Sequence, residues 1–334
     1  MPELAQILAA LAAAPGRPAV LATLVQVEGS SYRRPGARLL LLADGTHLGS
    51  ISGGCLEEDV VQRAGRVLAS GRPECATYDT TAENDLVWGV GLGCQGVVRI
   101  FIEPLPAARP RWVGALSENL RARRATTLAV VHGEANGAAR GTCVAGELPG
   151  EPADAGIFRE TVSAPPPLVI FGAGDDAQPL VRLAKETGWH VTVVDARPAY
   201  ATAMRFPRAD AVVTVSRWDV GEFLAPGEET FAVVMTHRYT DDLQFLRALL
   251  PQPLAYLGVL GPRKRTNRLL AQLQEEGLAA GPEVLARLHA PVGLDLGGDT
   301  PAAVALAILA EMHSRLSGRA PVNLRDRPGS IHGR

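Results

Sequence analysis

The stretch Leu168 to Asp195, LVIFGAGDDAQPLVRLAKETGWHVTVVD, restricts the possible folds of this chain more than any other. Leu168 to Phe171 is a short apolar run that ends on a glycine turn, Gly172 and Gly174. From about Ala177 to Thr187 the apolar residues recur at helical spacing, and His190 to Val194 is a second apolar run that ends on Asp195. Strand, glycine turn, helix, strand and acid in that order form the first βαβ unit of a dinucleotide-binding fold. Gly172 permits the tight turn, and Gly174 lets backbone N–H groups approach a pyrophosphate. Ala177 takes the third place of G-x-G-x-x-G/A, where a small residue lets helix and strand pack closely. Asp195 stands where an acid hydrogen-bonds a ribose. Asp175 and Asp176 fall in the first turn of the helix, where a phosphate would sit. As caps they suit the helix dipole. As charges they repel a pyrophosphate unless a cation or nearby Arg and Lys side chains offset them. The expected fold is therefore Rossmann-like, with ordinary NAD(P) binding disfavoured at this turn.

The alternation continues downstream. Asp210 to Val215, Phe231 to Thr236 and Ala255 to Leu260 read as strands, each followed by a helical stretch, which predicts a doubly wound parallel sheet. Ligands in such sheets bind beyond the carboxyl ends of the strands. That rule selects Asp195 with Arg197, then His237, Arg238 and Asp241, then Gly258, Gly261, Arg263, Lys264 and Arg265. His237 is a general-base candidate or a hydrogen-bonded structural histidine. Arg263 to Arg265 can hold phosphates and offset Asp175 and Asp176, or form a solvated turn. Asp299 or Thr300, with Pro301 next, caps a last helix that should close the sheet.

The first half reads as a separate mixed α/β domain. Glu3 to Ala14 has helical spacing, Ala19 to Glu28 is a strand, and Asp44-Gly45 joins Arg38 to Ala43 and Thr46 to Ile51 as a hairpin. Gly29 to Gly36 is a polar loop that carries Ser30, Ser31, Tyr32, Arg33 and Arg34. Gly53, Gly54 and Cys55 open the next helix, where glycines leave backbone N–H groups free for an anion and the dipole favours a thiolate. Cys55 is thus a nucleophile or soft-ligand candidate; the alternative is a small buried hydrophobe. Strands at Glu74 to Tyr78 and Gly96 to Glu103 bracket a second glycine loop, in which Gly93 and Cys94 repeat the theme. Cys75 and Cys143 lie in strand-like contexts and are expected in the core.

With 334 residues and 47% hydrophobic content the chain suggests two domains. Expected boundaries are 1–105 for the N-terminal domain, 106–164 for a weakly patterned connection, 165–320 for the Rossmann-like domain and 321–334 for a flexible tail. The connection should hold short strands at Thr126 to His132 and Gly141 to Ala145, and TVSAPPP at Thr161 to Pro167 reads as a stiff linker. A net charge of −2 and a pI near 6.4 give no footprint for nucleic acid or anionic lipid. The four cysteines form no C-x-x-C pair and point to a reducing cytoplasm rather than a zinc or disulfide framework. No signal peptide or membrane-spanning run is expected.

Taken together, GSSYRRPGARLLL, GSISGGCLEEDVV, GLGCQGVVRIFIEPL, GAGDDAQPL with VVDARP, MTHRYTDD, YLGVLGPRKRTNRLL and PVGLDLGGDTPAAVALAILAE resemble the XdhC/CoxI family, the xanthine dehydrogenase accessory factors. The resemblance runs in order along nearly the whole chain and is weakest at Pro104 to Pro167. It implies a maturation factor that binds and protects molybdenum cofactor (molybdopterin) and assists exchange of a molybdenum oxo ligand for sulfur with a cysteine desulfurase. Delivery to a molybdenum hydroxylase would follow. It also implies that Cys55 is the cysteine of GSISGGC and that Cys94 belongs to the glycine-cysteine loop. One departure is Asp175, where many members carry a histidine. Competing readings are an NAD(P)-dependent oxidoreductase with Cys55 or His237 as catalyst, and a docking protein with no cofactor site. A homodimer is expected as the way to cover two apolar-rich domains.

Overall fold

A computed structural model describes residues 2–79, 96–133, 139–148, 156–215 and 230–328. The chain divides into two compact units, Met1–Ala164 and Pro165–Arg334, and the division falls within the Ser-Ala-Pro-Pro-Pro stretch.

In the first unit, α1 (Pro2–Ala13) leads into β1 (Ala19–Gly29), followed by β2 (Arg38–Leu42), β3 (His47–Gly49), α2 (Glu57–Ser70), β4 (Glu74–Asp79) and β5 (Gly96–Leu105). These strands form an antiparallel sheet in the order β3-β2-β1-β5-β4. β1 reads as a mostly apolar run because both faces of this central strand are covered. Val20, Ala22 and Leu24 pack with Val60, Ala64 and Val67 of α2. Ala19 and Leu21 face Ile7 and Leu11 of α1 and Trp112 and Leu116 of α3 (Arg111–Arg121). Residues 106–164, expected to be weakly patterned, carry α3 and a smaller antiparallel sheet of β6 (Thr126–Val131), β7 (Gly141–Val144) and β8 (Ile157–Val162) in the order β7-β6-β8. Leu128 and Val162 of that sheet join the same core as α1. β8 has no counterpart among the expected strands.

The second unit is the doubly wound sheet that the Leu168–Asp195 stretch predicts. β9 (Pro167–Phe171), α4 (Ala177–Glu186) and β10 (His190–Asp195) form the βαβ unit. β11 (Ala211–Thr214), β12 (Phe231–Val234), α5 (Tyr239–Leu249), β13 (Tyr256–Val259), α6 (Arg263–Glu275), α7 (Pro282–Arg287), β14 (Leu288–His289) and α8 (Pro301–Ser317) follow. The order is β11-β10-β9-β12-β13-β14, with every pairing parallel. The chain therefore reverses direction of travel between β9 and β12, and this switch point opens a crevice at the strands' carboxyl ends. Leu168, Ile170, Val191 and Val193 bury one face under α4 and α8, and Phe171, Val194, Val234 and Val259 bury the other under α5 and α6. Thr300 is the N-cap of α8, its Oγ1 accepting from Ala303 N at 3.2 Å, as the Thr-Pro pair predicts. Among the described residues no helix is long and apolar enough to cross a membrane.

Candidate functional site

Two loop systems collect the residues selected from sequence, one in each unit. In the second unit the crevice between β9 and β12 is narrow because Gly172, with φ +123°, passes against the end of β12. A Cβ there would fall 2.6 Å from the Met235 carbonyl oxygen. Asp195 ends β10 and is 3% exposed, and its carboxylate is fully engaged. Oδ2 accepts from Ala173 N at 2.7 Å and Arg197 Nη2 at 2.7 Å; Oδ1 accepts from Arg197 N at 2.8 Å and Arg197 Nε at 2.9 Å. Burial pushes its carboxyl up, but the Arg197 and Ala173 hydrogen bonds outweigh it and hold it below the ordinary carboxylate range. Four donors fill the roughly four acceptor positions of a carboxylate. Asp195 therefore braces the glycine turn instead of presenting a free acid to a ribose, and Arg197 is its partner, further held over the Tyr200 ring at 3.9 Å.

The two aspartates in the turn are offset, though by other residues than Arg263 to Arg265. Asp175 pairs with Arg205 at 2.8 Å, and Arg205 also donates to the Ala173 carbonyl at 3.2 Å. Asp176 lies 2.6 Å from His237 Nε2. His237 is held in the left-handed region at φ +59°, an uncommon conformation for a residue with a side chain. Asp176 also covers Gly174, since a Cβ added to that glycine would lie 2.5 Å from Asp176 Oδ1. The open surface expected at Gly174 is thus occupied by the chain's own carboxylate. Arg265 is committed elsewhere: it pairs with buried Asp242, which also accepts from Thr236. Burial raises the Asp242 carboxyl despite the Thr236 hydrogen bonds and the Arg265 charge that pull it down. Arg263 and Lys264 remain exposed at the start of α6, with no ion pair among the described residues.

In the first unit the loops after β1 and β3 come together. The ring of Tyr32 lies on the backbone of Gly53, where an added Cβ would be 3.1 Å from Cδ1. α2 begins at Glu57, so Cys55 precedes the helix rather than opening it. Gly54, whose amide was expected to be left with that of Gly53 for an external anion, donates instead to an internal one, Glu57. Glu57 Oε1 accepts from Ile51 N (3.1 Å), Ser52 N (2.8 Å) and Ser50 Oγ (2.9 Å). Its Oε2 accepts from Gly54 N (2.9 Å), Leu56 N (3.2 Å) and Ser52 Oγ. Partial burial opposes ionisation of Glu57, but the Ser52 and Ser50 hydrogen bonds prevail and hold its pKa at about 2. The result is a clamped loop that presents Cys55 to solvent. Cys75 and Cys143 are half-buried, and burial pushes both thiols up. Gly93 and Cys94 lie outside the described residues; Gly96, at the start of β5, pairs with Gly29 at the end of β1.

Sequence reasoning missed two residues that organise these sites, Glu57 and Arg205. Glu57 had a local signal, the acid-rich first turn of SGGCLEED; Arg205 acts through a contact distant in sequence.

Comparison with known proteins matches residues 12–79 to the XdhC and CoxI family and residues 168–312 to the XdhC Rossmann domain. A Bacillus subtilis (strain 168) protein, named as a probable subunit of xanthine dehydrogenase, is 34% identical over 313 residues, spanning 88% of this chain and 92% of that protein. The molybdenum cofactor insertion chaperone PaoD of Escherichia coli (strain K12) is 27% identical over 299 residues, spanning 90% of this chain and 84% of that protein. A Bacillus halodurans crystal structure described as a xanthine dehydrogenase superimposes with a TM-score of 0.80 at 30% identity, covering 94% of this chain and 96% of that one.

Proposed function

The chain belongs to the XdhC and CoxI family, and from that membership we propose that it is an accessory factor that binds molybdenum cofactor and delivers it to a xanthine dehydrogenase-type molybdenum hydroxylase. The cofactor is cargo here, not a resident group. It presents a phosphate, a pterin ring and a metal held by two sulfurs, so a carrier needs cations, polar groups for the ring and a soft donor. The observation that carries the reading is the exposed thiol of Cys55 on a loop that Glu57 clamps beside Tyr32. The name of the E. coli relative supports the same role. Within this reading Cys55, together with Cys94, serves the metal end of the cargo and its sulfuration, with a cysteine desulfurase as sulfur source. The factor works as a homodimer in the cytoplasm.

The rival reading, an NAD(P)-dependent oxidoreductase, finds less support. The ribose acid is saturated by Ala173 and Arg197, and Asp176 covers the glycine over which a pyrophosphate would pass. In the accessory-factor reading this crevice is a structural switch point whose exposed cations, Arg263 and Lys264, are available to a partner or to the cargo's phosphate. The test is the content of the purified chain. Protein from a molybdenum-replete host, denatured and oxidised, should release a fluorescent pterin and show no nicotinamide fluorescence transfer. Bound nicotinamide without pterin would reverse the assignment.

A further inference from the structure

The Gly29–Gly36 loop also borders a cavity whose lining does not include Gly53. Tyr32, Arg33, Arg34, Arg38, Glu3 and Glu160 line this open cavity of about 400 Å³, within the range of about 300–1,000 Å³ that holds small ligands. Arg38 is 3% exposed; its Nη1 donates to the Gly36 carbonyl at 3.0 Å and its Nη2 to Glu160 Oε1. One buried guanidinium thus ties the loop backbone to β8. Gly36 is in the left-handed region at φ +98°, and a Cβ there would lie 2.6 Å from Glu160 Oε2, so the carboxylate is pressed against the loop. Glu3 of α1 binds Arg33 through Oε2. Burying an arginine–glutamate pair is costly, and here the pair fixes a carboxylate at a cavity wall.

The lining selects its ligand by chemistry. Three guanidinium groups disfavour a purely apolar occupant, and the two carboxylates among them call for hydrogen-bond donors besides an anion. A ligand that suits both presents adjacent N–H donors to a carboxylate, a flat face to the Tyr32 ring and an anion to Arg33 and Arg34. A 2-amino-4-oxopyrimidine ring with a phosphate tail has all three. Resting on the accessory-factor reading, we propose that this cavity seats the pterin ring and phosphate of the cargo, with Glu3 reading the aminopyrimidinone edge. Tyr32 is shared between the cavity and the Gly53 contact, so a ring seated there lies on the loop pair that carries Cys55.

Guanine nucleotides carry the same edge, and the experiment separates the two sources. The full chain is titrated with oxidised, phosphorylated molybdopterin and with its dephosphorylated form, each followed by its own fluorescence, and GMP is added as competitor. Glu3→Gln should weaken both pterins about tenfold, because one charge-assisted hydrogen bond is weakened. Arg34→Ala should weaken the phosphorylated form about tenfold and leave the dephosphorylated form unchanged. Both substitutions are at solvent-accessible positions outside the core. If both variants bind like the wild type, the cavity assignment is overturned while the accessory-factor reading stands. GMP binding more tightly than either pterin overturns it in favour of a nucleotide site. A wild-type chain that binds neither form overturns it too, and the wider reading falls only if no pterin co-purifies.

Discussion

Gly172→Ala is expected to lower the thermal midpoint of the second unit sharply, with a loss of about 3 kcal/mol or more. Two costs combine. The φ of +123° is one that a side chain adopts only with strain, and the new methyl group meets backbone atoms, the Met235 carbonyl at 2.6 Å and the Thr236 Cα at 3.0 Å. Backbone cannot swing aside without separating β9 from β12 at the switch point, where Met235 N donates to Phe171 O at 2.8 Å, while Gly172 N is held to Val194 O of β10 at 2.8 Å. Gly174→Ala is the control. Its methyl group meets only the Asp176 carboxylate, which can rotate away at the expense of an exposed contact with His237, so the expected loss is about 1 kcal/mol or less. Equal melting of the two variants would mean that the turn is not packed as described.

Glu57→Ala should have the largest effect in the first unit, concentrated on one loop. The substitution removes the acceptor for the Ile51, Ser52, Gly54 and Leu56 amides and for the Ser50 and Ser52 hydroxyls. Some of these donors recover a partner in water, so the expected loss is about 2 kcal/mol rather than the sum of the bonds. Amide hydrogen exchange should rise across residues 50–56 while β1 and β5 stay protected. Alkylation of Cys55 should become less selective as the clamp is lost. Acid titration gives the same answer by another route. Because the pKa of Glu57 in the folded chain is about 2, below that of the unfolded chain, its contribution is complete above about pH 4.5 and is lost as the pH falls towards 2. A wild-type chain whose loop protection did not change across that window would contradict the clamp.

Much of the architecture is legible in the sequence because it depends on local patterns. The mostly apolar run of β1, the Asp44-Gly45 hairpin and the glycine turn between two apolar strands each identify an element from neighbouring residues. β8 is the counter-example. Its sequence, IFRETV, places Arg159 and Glu160 in mid-strand and reads as polar, yet Glu160 is paired with Arg38, 122 residues earlier. The sites were legible as residue sets but not as partners. Asp195 is an acid where a ribose ligand belongs, and only the fold shows that Arg197, two residues on, has taken it up. Likewise Arg205, in the loop between β10 and β11, offsets Asp175, a task that charge and a place past the carboxyl end of a strand suggested for Arg263 to Arg265. The loop before α2 does gather amides around an anion, that of Gly54 among them, and that anion is Glu57.

The central claim is that the chain carries molybdenum cofactor to a client enzyme, and the most direct measurement is activation of that client in a defined mixture. Cofactor-free xanthine dehydrogenase-type hydroxylase would be incubated with the pterin-loaded chain, with loaded Cys55→Ser protein, or with an equal amount of free cofactor. Hydroxylase activity would then be followed over time. The loaded wild-type chain should restore activity faster and further than free cofactor does, and Cys55→Ser, which keeps a small polar side chain on the same clamped loop, should lose most of that advantage. Activation by the chain no better than by free cofactor, with or without Cys55, would contradict the account.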